Sequence, residues 1–296
     1  MIGANADART RVVIRPDDRR SAVIDTIDSS REQLSLSIFR CDDDGVVDAL
    51  SAAVKRGVHV RVLLTSRAKA SKAHLKQLHA VLTAAGAEVR RYTDAVVRYH
   101  AKYLVADAAT AVIASFNFTR KCFQTTCDFA VVTHDSQVIA AVTHLFDGDW
   151  RGIAYDPVPD ASDQLIVGPE QARRRFAELF ESATERIRII DPKIDDAAML
   201  ALLKRRAAAG LRVEIRGPAG VGTLVPHGKM LVIDDSVAVI GSISLSMLAL
   251  EFRRELAVVT RDRASLATLD QFWQSLPALA TAGDVPGVSG DPFLPA

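Results

Sequence analysis

Two stretches of the chain set a histidine, a lysine and an aspartate at the same spacing: His100-Ala-Lys102-Tyr-Leu-Val-Ala-Asp107 and His227-Gly-Lys229-Met-Leu-Val-Ile-Asp234. Small polar residues follow each at a matched distance, Ser115-Phe-Asn117 in the first and Ser242-Ile-Ser244 in the second. For this composition a chance H-x-K-x4-D is expected about 0.02 times per chain, so two at equivalent positions are not accidental. On a strand, residues i and i+2 share a face, so each motif presents an imidazole beside an ammonium, a pair suited to a phosphate. Brought face to face, the motifs make a pocket of two imidazoles and two lysine charges, with Ser115, Asn117, Ser242 and Ser244 as donors to phosphoryl oxygens. Such a pocket suits a phosphodiester reaction that needs no metal and no cofactor. One histidine attacks phosphorus to give a phosphohistidine, the other protonates the leaving oxygen and then activates water or an alcohol, and the lysines stabilise the equatorial charge. A third His-x-Lys, His74-Leu-Lys76, has Val81 at the closing position and reads as an exposed helix surface.

A catalytic histidine needs an acceptor on its other ring nitrogen to fix the tautomer. Asp128 and Glu255 are the candidates: each lies 28 residues beyond its histidine at the head of an apolar run, DFAVVT or ELAVVT. Asp107 and Asp234 read as structural, through a lysine or a backbone turn.

The elements that position these residues form an internal repeat. Leu34 to Leu64 lies without a gap on Ile187 to Gly217, and Gly57 falls on Gly210. Each segment reads as strand, helix, glycine stop, strand, a βαβ unit occurring twice. His100 to Thr133 then lies on His227 to Thr260. The offset drops from 153 to 127, so the first half carries 26 further residues before its histidine. This insert, which includes Arg67, Lys69, Lys72, Lys76, Arg90, Arg91 and Arg98, reads as an additional helix and strand. Because the second half lacks it, the His227 side of the pocket is expected to be the more open. The expected organisation is a first α/β half over 1–150, a Pro/Asp/Gly-rich linker over 151–164, a second half over 165–276 and a Pro/Gly-rich tail over 277–296.

The chain of 296 residues carries 37 basic and 36 acidic residues, so its overall charge advertises neither nucleic acid nor an anionic surface. No apolar run approaches the roughly 20 residues of a spanning helix, and the first residues lack the apolar core of a secretory signal, so a cytoplasmic address is expected. Cys41, Cys122 and Cys127 form no CxxC pair and read as reduced core residues.

On the doubled motif the chain resembles the phospholipase D superfamily, whose signature is a duplicated H-x-K-x4-D-x6-G-S-x-N. The resemblance runs from about residue 17 to 276. It implies two mixed-sheet α/β halves packed about a pseudo-twofold with one active site at their interface, a phosphohistidine intermediate and no metal. Carried over to this sequence, it makes His100 and His227 nucleophile and general acid/base, with His100 the nucleophile as in many members. Lys102, Lys229, Ser115, Asn117 and Ser242 become phosphate ligands, and Asp128 and Glu255 orient the histidines. Two positions depart from the pattern: Ala114 stands where the family has Gly, and Ser244 where it has Asn, keeping a donor of shorter reach.

The resemblance implies a phospholipase D or phosphatidyltransferase of the cardiolipin-synthase-like kind, acting on a phospholipid with water or alcohol as acceptor and visiting the bilayer peripherally. The alternative is a nuclease that holds a DNA or RNA backbone with the basic insert from Arg67 to Arg98. A second alternative is an inactive binding protein on the same scaffold. The chain is read as monomer or homodimer.

Overall fold

In the computed structural model, residues 9–66, 72–157, 163–217 and 221–278 are described. The first half runs β1 (Thr10–Val13), α1 (Pro16–Ser29), β2 (Gln33–Ile38), α2 (Asp44–Lys55), β3 (His59–Thr65), α3 (Lys72–Ala85), β4 (Glu88–Tyr92), β5 (Arg98–Tyr99), β6 (Tyr103–Ala106), β7 (Thr110–Ala114), α4 (Arg120–Gln124), β8 (Thr126–Cys127), β9 (Ala130–Thr133) and α5 (Ser136–Arg151). The second runs β10 (Leu165–Gly168), α6 (Ala172–Ser182), β11 (Arg186–Ile190), α7 (Ala197–Ala208), β12 (Arg212–Arg216), β13 (Val225–Pro226), β14 (Lys229–Ile233), β15 (Val237–Gly241), α8 (Met247–Phe252), β16 (Arg253–Thr260) and α9 (Arg263–Ser275).

The repeat is repeated in its joints. Asp43 and Asp196, equivalent positions, cap α2 and α7 by accepting from Val46 N at 3.1 Å and Met199 N at 3.0 Å. Each cap is gripped by an equivalent arginine, Arg20 on Asp43 at 3.0 Å and Arg173 on Asp196 at 2.6 Å. Asp135 and Asp262 cap α5 and α9 in the same way. Gly57 and Gly210 close the βαβ helices with φ of 89° and 97°, a left-handed turn that a side chain would strain. In both halves the first two long strands pair in parallel (β2 with β3, β11 with β12), and the motif strand adds antiparallel on the other side (β6 on β2, β14 on β11).

The resulting sheets have the orders β1-β9-β7-β6-β2-β3-β4 and β10-β16-β15-β14-β11-β12. The outer face of the first packs on α1, α2, α3 and α4, and that of the second on α6, α7 and α8. The inner faces share a single core that includes Tyr103, Phe129 and Phe146 from one half and Met230, Leu256 and Trp273 from the other. Phe146 is fully buried there, and truncating it to Ala costs about 3–5 kcal/mol. Because the core is common, neither half holds a complete inner face by itself.

Two short crossings stitch the halves together at the site. β5 leads into His100 and pairs in parallel with the start of β16, Arg98 opposite Arg253 and Tyr99 opposite Arg254. β13 leads into His227 and pairs in parallel with β8, Val225 opposite Thr126 and Pro226 opposite Cys127. Each histidine is therefore delivered beside the strand that carries the other half's acid. Gly228 permits this approach, since a Cβ there would stand 2.8 Å from both Asp128 Cα and Cys127 O.

The insert forms α3 and β4 as expected. Arg67, Lys69 and the Lys72 side chain lie outside the described residues, as do part of the 151–164 linker and the tail beyond 278. The three cysteines are free and buried. Among the described residues no helix is long and apolar enough to cross a membrane.

Candidate active site

The two motifs meet at the interface with their acids exchanged. His100 Nδ1 bonds Glu255 of the second half, and His227 Nδ1 lies 2.9 and 3.0 Å from the two oxygens of Asp128 in the first. With Nδ1 committed to a carboxylate, the Nε2 of each ring is left for chemistry. Both acids are fully buried, whereas the side chains of His100 and His227 are 20% and 32% exposed. His227 is the more exposed of the two rings, although the insert helix α3 of the first half borders its side.

Each lysine folds back on its own motif: Lys102 Nζ donates to His100 O, and Lys229 Nζ to His227 O at 2.6 Å. Lys102 is 1% exposed. Burial first, then the charges of Lys229 and Arg253, hold its ammonium well below the ordinary lysine range despite the pull of Glu255. Burial and the charges of Lys102, Arg253 and Lys229 likewise keep the His100 pKa well below the ordinary imidazole value. Glu255 is pushed up to about 7 by burial, against the attraction of Lys102, Arg253 and Lys229. Asp128 goes the other way. Burial would raise it, but the His227 hydrogen bond and charge, the Thr126 bond and Lys229 together hold it below the usual carboxylate value.

The small polar residues divide. Ser115 Oγ donates to Asp128 at 2.7 Å and accepts from Phe129 N at 2.9 Å, so its hydroxyl hydrogen steadies the acid. Ser242 Oγ makes only long contacts, 3.4 and 3.5 Å, with the Leu256 backbone. Ser244 Oγ lies 3.1 Å from Asp191 and 2.7 Å from Lys193 O, turned to the floor of the second half. Asn117 is 8% exposed, and its Oδ1 has no hydrogen-bond partner among the described residues. Asp107 accepts from the backbone N–H groups of Arg31, Glu32 and Gln33, and Asp234 from those of Thr184, Glu185 and Arg186. These aspartates tie the motif's far end to the strand beside it and take no part at the phosphate position.

Several site residues carried no sequence signal of their own. Asp191 is 2% exposed, lies near Lys229 and is raised to about 6 by burial, which outweighs Lys229 and the bonds from Leu245, Lys193 and Ser244. Its repeat equivalent is Ile38, so the two floors differ. Arg253 stands 3.8 Å from Glu255 where the first half has Thr126. Arg19, fully buried, stands 3.6 Å from Asp128 and donates to Thr126 O at 2.8 Å. Phe39 packs edge-on to the His100 ring at 4.4 Å. His74, set aside as helix surface, is exposed and also lines a cleft beside His227. Arg173 on α6 binds Asp196 and Glu251. In the insert, Arg90 stacks over Trp150 at 4.5 Å.

Cys122, Asp128 and His227 bring a thiol, a carboxylate and an imidazole within 4.8 Å of one another. The Asp128 oxygens already accept from His227, Ser115 and Thr126, and the Arg19 guanidinium is adjacent, so the charge environment disfavours a cation there.

Two α/β halves, with a His–Lys pair from each and the acids crossed, are the arrangement that the resemblance to the phospholipase D superfamily implies, and comparison with known proteins finds similarity to that family. The family model described as "Cardiolipin synthase, PLD-like domain" matches residues 23–150. Cardiolipin synthase A of Pseudomonas aeruginosa is 29% identical over 130 residues, which is 43% of this chain and 26% of that protein. The chain thus spans about a quarter of the curated relative's length. Among solved structures, phosphatidylserine synthase of Haemophilus influenzae Rd KW20 has a TM-score of 0.73 at 12% identity, over 92% of this chain and 88% of that one. Polyphosphate kinase of Porphyromonas gingivalis has a TM-score of 0.72 at 16% identity, over 90% of this chain and 46% of that one.

Proposed function

We propose that the protein is a metal-independent phosphodiester transferase or hydrolase that works through a phosphohistidine and acts on a phospholipid. The carrying observation is the crossed pairing of His100 with Glu255 and of His227 with Asp128 around the buried Lys102 and the half-buried Lys229. His100, kept neutral by burial and neighbouring cations, has a free lone pair on Nε2 and acts as the nucleophile. As its Nε2 bonds to phosphorus, the P–O bond to the leaving group breaks and His227 Nε2 gives that oxygen a proton. Asp128 stabilises the His227 imidazolium before this step, and Glu255 stabilises the charge that develops on His100. Lys102 and Lys229 hold the equatorial oxygens. In the second step His227 takes the proton of water or an alcohol whose oxygen attacks phosphorus, and the P–N bond breaks. Asn117 and Ser242 serve as further phosphate donors, while Ser115 and Ser244 support the acids.

A phospholipid is favoured by the similarity to cardiolipin synthase A and by the near balance of charge. The chain would meet the bilayer from the cytoplasmic side as a peripheral protein, and because one chain holds both halves of the site, a monomer suffices. A nuclease that uses the insert as a basic rail has less support, since Arg90 is engaged by Trp150.

The test is a substrate panel in chelator. It sets phosphatidylcholine and phosphatidylglycerol vesicles, with and without a primary alcohol, beside single- and double-stranded DNA and RNA. Phosphatidic acid, or the alcohol's phosphatidyl ester, is expected from the vesicles and is lost in His100→Ala. Cleavage of nucleic acid alone would replace the lipid reading, and no turnover on any substrate would remove the enzymatic one.

A further inference from the structure

The two crossings that deliver the histidines are built alike but lined differently. In the one before His227, Val225 stands opposite Thr126; in the one before His100, the equivalent positions are Arg98 and Arg253. Residues i and i+2 of a strand share a face, so Arg98 lies on the face of His100 and Arg253 on that of Glu255. The pair of His100 with Glu255 and the pair of Arg98 with Arg253 are therefore successive rungs on one face, about 6.6 Å apart along the strands.

Like charges set opposite each other on neighbouring strands repel. Little in the protein offsets this pair. Arg98 is exposed and has no salt-bridge partner among the described residues. Arg253, its side chain 30% exposed, reaches only Glu255 at 3.8 Å, without a hydrogen bond and with that acid already bonded to His100. The Arg253 charge is felt inside the site, where it helps to hold the pKa values of His100 and Lys102 down. An anion between the two guanidinium groups removes the repulsion, and their planar forks match a phosphate. What precedes each arginine is apolar: Val96, two residues before Arg98, is 61% exposed, and Phe252, next to Arg253, is 38% exposed. A polynucleotide calls for cations spaced along its backbone. One arginine pair bordered by exposed apolar side chains suits a single phosphate on an amphiphile.

In-line attack by His100 sends the leaving oxygen towards His227, so a group held on the arginine rung belongs to the part of the donor that stays on phosphorus. We propose that Arg98 and Arg253 form a second phosphate site beside His100, and that the donor is a phospholipid whose retained arm carries a further phosphate a short carbon bridge from the reacting one. The proposal deepens the phospholipid reading and rests on it for the direction of displacement. A donor with one phosphate leaves the arginine pair unfilled and reacts less efficiently. The second phosphate itself forms and breaks no bond.

Two measurements test it. In chelator, wild-type protein is given nitrophenyl propyl phosphate, or the same diester with a phosphate on the far end of the propyl chain. For the two-phosphate diester kcat/KM is expected to be at least tenfold higher, and Arg98→Gln is expected to bring the ratio close to one, through loss of charge-assisted bonds. Equal kcat/KM for the two diesters, or a ratio that Arg98→Gln leaves intact, overturns the site while the transferase reading stands. A parallel arm compares nitrophenyl thymidine 5′-phosphate with and without a 3′-phosphate. A larger gain there than on the propyl diester assigns the site to a nucleic-acid backbone and overturns the lipid donor; a smaller one supports it. Separately, calorimetry with propanediol bisphosphate, which has no diester to react, is expected to give binding that Arg98→Gln weakens at least tenfold. Such binding in a protein that turns over no diester supports the site and overturns the transferase reading, and no binding overturns the site.

Discussion

Asp128→Asn is the substitution that separates the crossed-acid account from a merely architectural interface. Asp128 is fully buried and ionised, with a pKa below the usual carboxylate value. It accepts from His227 Nδ1 at 2.9 and 3.0 Å, from Ser115 at 2.7 Å and from Thr126, while the buried Arg19 lies 3.6 Å away. Asparagine keeps the shape, loses the charge and turns one acceptor into a donor among groups that all donate. Leaving the Arg19 charge uncompensated in a dry site costs about 3–5 kcal/mol, a large share of the roughly 5–15 kcal/mol that holds a protein together. The sign with pH follows from the depressed carboxylate. The Asp128 contribution is present above the unfolded-state pKa of about 3.9 and is lost as pH falls through the folded value. Urea unfolding at pH 7 is expected to show the loss, and the gap between wild type and variant should narrow towards pH 3. Turnover should fall by about 10³–10⁴, because the His227 tautomer is no longer dictated. A variant that unfolds with the wild type at pH 7, or keeps a tenth of its turnover, refutes the reasoning.

The duplicated positions give a second test, since Gly241→Ala and Ala114→Gly are the same change run in opposite directions at equivalent sites. A Cβ at 241 meets Leu256 O at 2.2 Å and Ala257 Cα at 2.4 Å, so Gly241→Ala is expected to lose about 3 kcal/mol or more by thermal unfolding, and Ala114→Gly about 1 kcal/mol. Asp107→Ala removes the acceptor of three backbone N–H groups and is expected to cost about 2 kcal/mol in denaturant titration, with kcat per folded molecule close to wild type. Because burial depresses the Lys102 ammonium, kcat/KM is expected to fall on an alkaline limb well below the free-lysine value of about 10.4, the charge being lost as pH rises through that lowered pKa. An alkaline limb at the free-lysine value would place Lys102 in a wetter setting than the one described.

Much of the fold was legible because the repeat duplicates its own joints. Two H-x-K-x4-D runs, two glycine stops and matched acids cannot arise by chance, and the physical demands of a βαβ unit explain each of them. The 28-residue spacing of Asp128 and Glu255 identified them as histidine partners but not whose: a partner within the half and one across the interface leave the same mark in sequence. The exchange follows from β5 pairing with β16 and β13 with β8, contacts of two residues each that carry no pattern. Asp191 hid for the opposite reason, since one acid in IRIIDPKI looks like the end of a strand when its equivalent is Ile38. His74 reads correctly as exposed, yet exposure on α3 is also what puts it at the mouth of the cleft. Ser244, legible as a shortened Asn, turns to Asp191 because its hydroxyl reaches that acid and the Lys193 carbonyl.

The most direct measurement is acid-quenched trapping of the intermediate. Wild type, His100→Ala and His227→Ala are mixed in chelator with a phosphodiester whose nitrophenolate leaves without needing a proton, and the phosphorylated peptide is located by mass spectrometry. The account predicts the phosphoryl group on His100 in wild type, a larger and longer-lived signal there in His227→Ala, which lacks the base for the second step, and none in His100→Ala. Label on His227, or steady turnover with no labelled histidine at any time, would contradict it.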